Sequence, residues 1–186
     1  MRRNLGVDAR ESRRALNLLW SALRYIMWVP RWGTLLYLMS VETQNLPEFE
    51  DIVETMSYLP DMDAKYQFLI DLSKRLAPLG DGEQTDDYRV WGCQSMVWIV
   101  PFRDEENPEA LRFRGKSDSV LVSGIIATVL SLYQGKSPEE ILKLDAQPEL
   151  KRLDLESHLS PTRRNGLMGM IERIREYAVA AIEQGA

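Results

Sequence analysis

The chain has 186 residues, room for one domain and a short appendage, and its 45% hydrophobic and 27% charged residues suit a folded globular body that needs neither disulfides nor metals to bury a core. The net charge of −5 is uneven: residues 1–38 hold seven Arg, no Lys and two acids, which leaves −10 on the rest. An acidic body argues against nucleic acid, whose phosphates need a basic face, and permits a basic protein partner.

Residues 15–38 (ALNLLWSALRYIMWVPRWGTLLYL) are apolar and hold three of the five Trp. Arg24, Pro30 and Arg31 interrupt them as a membrane span, and a central Arg costs about 2.5–3.5 kcal/mol even on the lenient insertion scale. No small-residue cleavage site of a signal peptide follows, and the Arg-rich, acid-poor opening is only loosely like an organellar transit peptide. Ordinary polar composition begins at Met39. The expectation is therefore an N-terminal extension over 1–38, outside the working protein, and a functional domain over 39–186 with no membrane association.

Along that domain, Pro47 opens a helical pattern with Phe49, Ile52, Val53 and Met56 on one face. Pro60 interrupts it, and Asp61 is placed to cap a second helix with Met62, Tyr66, Leu69 and Ile70 aligned. Leu79–Asp87 reads as a loop. Met96–Phe102 is β-branched and aromatic and predicts a strand, Arg103–Pro108 a hairpin loop, and Leu111 and Phe113, alternating with Arg112 and Arg114, a second strand. Tyr88–Trp91 is a candidate third strand. Asp118 is placed to cap an apolar core helix running to Tyr133, with Gly135 as its stop. Ser137-Pro-Glu-Glu140 has the form of a capping box, Pro148–Leu153 predicts a short helix, and Ser160-Pro161 starts a last one with Leu167, Met170, Ile171, Ile174 and Ala178 on one face. The order predicts an α+β fold, a small antiparallel sheet covered by helices.

The chemistry centres on Gly92-Cys93-Gln94-Ser95, at the entrance to the first strand. A lone cysteine forms no internal disulfide and points to a reducing compartment, the cytoplasm. Two readings of it stand side by side. It is either a buried, inert side chain packed like a small hydrophobe, or a nucleophile set on a glycine turn. Val90, Trp91, Met96 and Val97 surround it with apolar neighbours that disfavour the thiolate; Arg89 would favour it, but as a solvated, screened charge. A Cys–His hydrolase could formally draw on Cys93, His158 and Asn165, though no local signature of one is present, and His158 also reads as structural. A metal-binding assembly scaffold is the other alternative; one Cys and one His fall short of the four ligands that zinc or an iron–sulfur cluster takes. No metal site is expected. The acidic run Asp104-Glu-Glu106 reads as a solvated hairpin tip, and Arg163-Arg164 as surface or a recognition pair.

Four stretches taken together resemble the SufE family, which includes the CsdE proteins: Asp63–Leu72 (DAKYQFLIDL), Val90–Trp98 (VWGCQSMVW), Phe113–Asp118 (FRGKSD) with the apolar helix after it, and His158–Leu167 (HLSPTRRNGL). They span roughly residues 47–180; residues 1–38 match nothing in the family. The resemblance implies a fold shared with IscU-type scaffold proteins and a persulfide-accepting Cys93 within the Gly92, Gln94 and Ser95 motif. It further implies a SufS-like cysteine desulfurase as sulfur donor, a SufBCD-like scaffold as receiver, and Arg163 near the desulfurase interface. Pyridoxal phosphate chemistry would belong to the donor, so no cofactor is expected on this chain, which would stimulate the desulfurase rather than act as a stand-alone enzyme. The Cys93 thiolate would attack the outer sulfur of the donor's persulfide, with the donor's thiolate leaving, and Trp91 and the apolar strand would shelter the product. Lys116 departs from the acidic residue the family pattern has after this glycine, which alters the charge of the docking face.

Overall fold

The computed structural model describes residues 45–103, 107–155 and 159–185. The N-terminal extension, the hairpin tip Asp104–Glu106 and His158 lie outside them. In chain order the elements are α1 (Phe49–Tyr58), α2 (Met62–Ser73), a 3₁₀ turn (Asp86–Tyr88), β1 (Val97–Arg103), β2 (Leu111–Ser117), α3 (Val120–Tyr133), α4 (Pro138–Lys143), α5 (Ala146–Lys151) and α6 (Pro161–Gly185).

The helices form where apolar spacing and caps coincide. In α1, Phe49, Ile52 and Met56 are buried. Asp61 caps α2 as expected, its carboxylate accepting from the Ala64 N–H at 2.9 Å. Leu69 and Leu72 are the buried residues of α2, whereas Ile70 is only half-buried, so the inward stripe lies slightly round from the expected one. Ser137 and Glu140 form a complete capping box for α4, and Pro138 sits in its first turn. Gly135, at φ +72°, follows α3 and breaks it.

Three expectations shift. Asp118 does not cap α3; Ser119 does, accepting from the Val122 N–H at 3.4 Å. The short helix runs over Ala146–Lys151 rather than 148–153, capped by Asp145, so Pro148 falls inside its first turn, where its missing N–H breaks no intrahelical bond. Tyr88–Trp91 is not a third strand. The sheet has two strands among the described residues, and the segment is reduced to a bridge between Arg89 and Trp98, with the Val90 N–H donating to the Val97 carbonyl at 2.9 Å. The chain turns away at Trp91–Gly92 before a ladder can extend.

β1 and β2 pair antiparallel from Val97↔Ser117 to Arg103↔Leu111, which draws Arg103 out of the expected loop and into the strand. In β2 buried Leu111, Phe113, Gly115 and Ser117 alternate with more exposed Arg112, Arg114 and Lys116, the period-2 pattern read from the sequence. α3 is the central element: every residue from Gly124 to Tyr133 is buried. It packs on α2 and on β2, where a Cβ at Gly115 would stand 2.5 Å from Ile126 Cγ2. The long helix α6 contributes Leu167, Met170, Ile171, Ile174 and Ala178 to the same core, as its periodicity predicts. The fold is α+β, a small antiparallel sheet covered by helices.

Candidate functional site

Between Val90 and Val97 the chain leaves the sheet and makes the turn that carries Cys93. Gly92 adopts φ +85°, a conformation that an L side chain rarely takes, and it stands immediately before the cysteine. The turn lies against the N-terminal half of α6. A Cβ at Gly166 would stand 2.8 Å from Cys93 Sγ, and one at Gly169 would stand 3.0 Å from the Trp91 carbonyl oxygen. Real Cβ atoms do not approach sulfur so closely, so the turn rests where it does because position 166 has no side chain.

The thiol opens into a cleft of about 260 Å³. From the turn, Cys93, Gln94 and Ser95 line it; α3 supplies Val122 and Ile125, and α6 supplies Thr162, Arg163, Gly166 and Met170. Cys93 is half-buried, and desolvation pushes its thiol pKa above the ordinary value. Arg89 does not counter this. Its guanidinium stacks over the Trp91 ring at 4.4 Å and lies 3.7 Å from the Asp86 carboxylate. The competition read from the sequence is therefore resolved in favour of desolvation, and the free thiol is predominantly protonated at neutral pH.

The structure brings Cys93, Gln94, Ser95 and Arg163 to one cleft. Gly92 shapes the turn without lining the cleft, and Asn165 is exposed on α6 and does not line it either. Arg163 is exposed at the start of α6, where the Ser160 carbonyl and hydroxyl accept from its backbone N–H at 3.0 and 3.4 Å, and it lines the cleft. The expected shelter is corrected. Trp91 is 63% exposed and does not line the cleft, and neither does any residue of β1. The apolar walls come from α3 and α6 instead, because the turn folds away from its own strand. Val122, Ile125, Gly166 and Met170 were legible only as core or as helix filling. The one available signal was a glycine within an apolar helical pattern.

Five contacts hold the segment around the turn. Arg173 of α6 donates to the Asp87 carbonyl and, at 3.0 Å, to the Tyr177 hydroxyl; that hydroxyl in turn donates to the Ile99 carbonyl at 2.9 Å. Arg114 pairs with Glu83, which also accepts from the Gly80 N–H at 2.7 Å and so folds the preceding loop onto β2. Among the described residues, no group of three or more His, Cys, Asp or Glu side chains could hold a metal ion, and no helix is long and apolar enough to cross a membrane.

Residues 50–178 match the family model described as "SufE: Fe-S metabolism associated domain". An uncharacterised SufE-like protein of Rhizobium etli is 38% identical over 135 residues, covering 72% of this chain and 90% of the relative. One of Rhizobium meliloti is 35% identical over 135 residues, covering 72% and 96%. The solution structure of a hypothetical protein from Thermus thermophilus superposes with a TM-score of 0.60 at 19% identity, over 74% of this chain and 98% of that one, a likeness of fold. The matched residues contain the Cys93 turn, both strands and most of α6, and the chain belongs to the SufE family of iron–sulfur metabolism proteins.

Proposed function

We propose that this protein is a sulfur carrier: Cys93 accepts the outer sulfur of a persulfide on a SufS-like cysteine desulfurase and delivers it to a SufBCD-like iron–sulfur assembly scaffold. The observation that carries the reading is the chain's sole thiol, held half-buried at the mouth of a cleft by a positive-φ glycine turn inside the segment matched to the family. An inert core cysteine would need no such turn and no opening. The step balances without an external oxidant. The Cys93 thiolate attacks the outer sulfur, the donor's S–S bond breaks, and the donor's inner sulfur leaves as a thiolate. The same exchange in reverse sense passes the sulfur to the scaffold.

The chain's own residues prepare that exchange in three ways. Val122, Ile125 and Met170 give the outer sulfur an apolar recess away from cytoplasmic thiols. Burial keeps the thiol protonated between encounters, so it is a poor nucleophile until a partner changes its surroundings. Gly92, Gln94, Ser95 and Arg163 form the contact surface for the donor, with the Arg163 charge suited to an acidic patch. A free thiol also fits residence in the reducing cytoplasm.

Replacing Cys93 by Ser tests the carrier role. A hydroxyl does not ionise near neutral pH, so the variant is expected to fold normally, to gain no sulfur in mass spectrometry after incubation with a desulfurase and cysteine, and to leave the desulfurase rate at its unstimulated level. Full stimulation by the Ser variant would remove Cys93 from the mechanism.

A further inference from the structure

We infer that Thr162 holds the transferred sulfur: its hydroxyl donates a hydrogen bond to the outer sulfur of a persulfide on Cys93. Thr162, Gly166 and Met170 all line the cleft and follow one another at intervals of four along α6. They form one row on the helix, about 6 Å apart along its axis. The Cys93 sulfur takes the middle place in that row, where a Cβ at Gly166 would stand 2.8 Å from Sγ. Helical side chains lean toward the N-terminus of their helix. The place a side chain at 166 would fill therefore lies over the preceding turn, which is the turn of Thr162 and Arg163. A second sulfur bonded to Sγ reaches about 2 Å further. Toward Met170, only 2% exposed, the cleft closes into the core; toward Thr162, which is exposed, it opens.

The loaded state is the one that needs a donor. A persulfide is a stronger acid than the thiol that carries it, so sulfur uptake turns Cys93 from a neutral group into an anion. The surroundings are dry enough for desolvation to raise the pKa of the free thiol, and an anion there is destabilised unless a donor faces it. Val122, Ile125 and Met170 have no hydrogen to offer; Gln94, Ser95, Thr162 and Arg163 do. Gln94 and Ser95 follow Cys93 on the turn itself and travel with it, and Arg163 belongs to the contact surface for the donor protein. Thr162 stands on a helix, fixed relative to the thiol's seat, and among the described residues its hydroxyl has no hydrogen-bond partner. The inference rests on the carrier reading, because it gives that reading's cargo a group to hold it.

The test loads the full-length protein with inorganic polysulfide. The Cys93 thiolate attacks an end sulfur, one S–S bond breaks, and a polysulfide shorter by one sulfur leaves, so the persulfide forms on the sole cysteine without a desulfurase. Its ionisation is followed against pH by the near-ultraviolet absorbance of the perthiolate, in wild type and in Thr162→Val, Thr162→Ala and Thr162→Ser. Val and Ala remove the donor. Losing it disfavours the anion, so the midpoint is expected to rise by about one pH unit, the scale of a hydrogen bond to a charged group. Ser keeps the hydroxyl and is expected to titrate with wild type. Val retains the methyl group and Ser loses it, so a packing role alone predicts the reverse order. Two variants without the hydroxyl keep the test open if one fails to fold. An unchanged midpoint in Val and Ala, a shift in Ser as large as in Val, or no gain of sulfur by Cys93 overturns the assignment. A midpoint indifferent to the hydroxyl leaves the carrier reading standing. A desulfurase that passes no sulfur to the wild type defeats the carrier reading and leaves the Thr162 titration standing.

Discussion

Cys93 and Gly166 form a pair whose two halves are 73 positions apart in the chain. A glycine in the second turn of a helix costs about 1 kcal/mol relative to alanine, so Gly166→Ala would stabilise α6 if nothing stood in the way. Here the Cys93 sulfur does. The expected outcome is a folded variant in which the turn rides outward and Cys93 is alkylated several times faster than in wild type. An unchanged alkylation rate, measured beside an unchanged circular dichroism spectrum, would mean that the thiol does not depend on that seat. The pH profile of the same reaction reports the desolvation. Burial raises the thiol pKa, so the rate–pH curve of the native protein should have its midpoint above that of the same cysteine in urea. The sign is fixed by physics: burial penalises the thiolate, and rising pH is needed to restore it. A native midpoint at or below the denatured one would show that a positive charge outweighs burial at Cys93.

At the scale of elements, α6 does two jobs along its length. Its N-terminal half walls the cleft through Thr162, Arg163, Gly166 and Met170. Its later turns tie down the sheet and the approach to the turn, through Tyr177 to the Ile99 carbonyl and Arg173 to the Asp87 carbonyl, while the Tyr177 ring lies 6.4 Å from that of Phe113. Tyr177→Phe keeps the ring contact and removes the hydroxyl, leaving the Ile99 carbonyl and one Arg173 N–H without their partner. The expected loss is about 1–2 kcal/mol of unfolding free energy, read as a lower denaturant midpoint with an unchanged slope. No change in the midpoint would show that this bond does not hold α6 to β1. The sulfur-bearing turn itself belongs to no element; it hangs between β1 and α6 and takes its position from both.

At the scale of the whole molecule, the described residues bury a continuous core that draws on all six helices and both strands, centred on α3. The family match falls inside that body, over residues 50–178. We propose that residues 39–186 are the working domain. A chain starting at Met39 is expected to unfold at the same temperature as the full-length protein and to stimulate a desulfurase equally. A lower melting temperature or lost stimulation on truncation would make residues 1–38 part of the working protein.

Much of this molecule was legible in the sequence, because local rules act over a few residues. The caps at Asp61 and Ser137, the alternation in β2, the apolar run of α3 and the inward stripe of α6 all follow from periodicity and short-range hydrogen bonding, and each formed where it was read. The candidate cysteine was legible only as a choice between an inert core thiol and a nucleophile on a glycine turn, and it was the resemblance to the SufE family that favoured the second. What the sequence could not settle was which of several local partners a group would take. Asp118 and Ser119 are both good caps, and only the end of the β1–β2 register, which leaves the Met96 N–H without a backbone acceptor, gives the cap to Ser119 and the carboxylate to the turn. Nor could it choose between Trp91 and α6 as the wall beside the thiol. That choice is made by a close approach between Cys93 and Gly166, and a contact between residues so far apart exists only after the helices have packed.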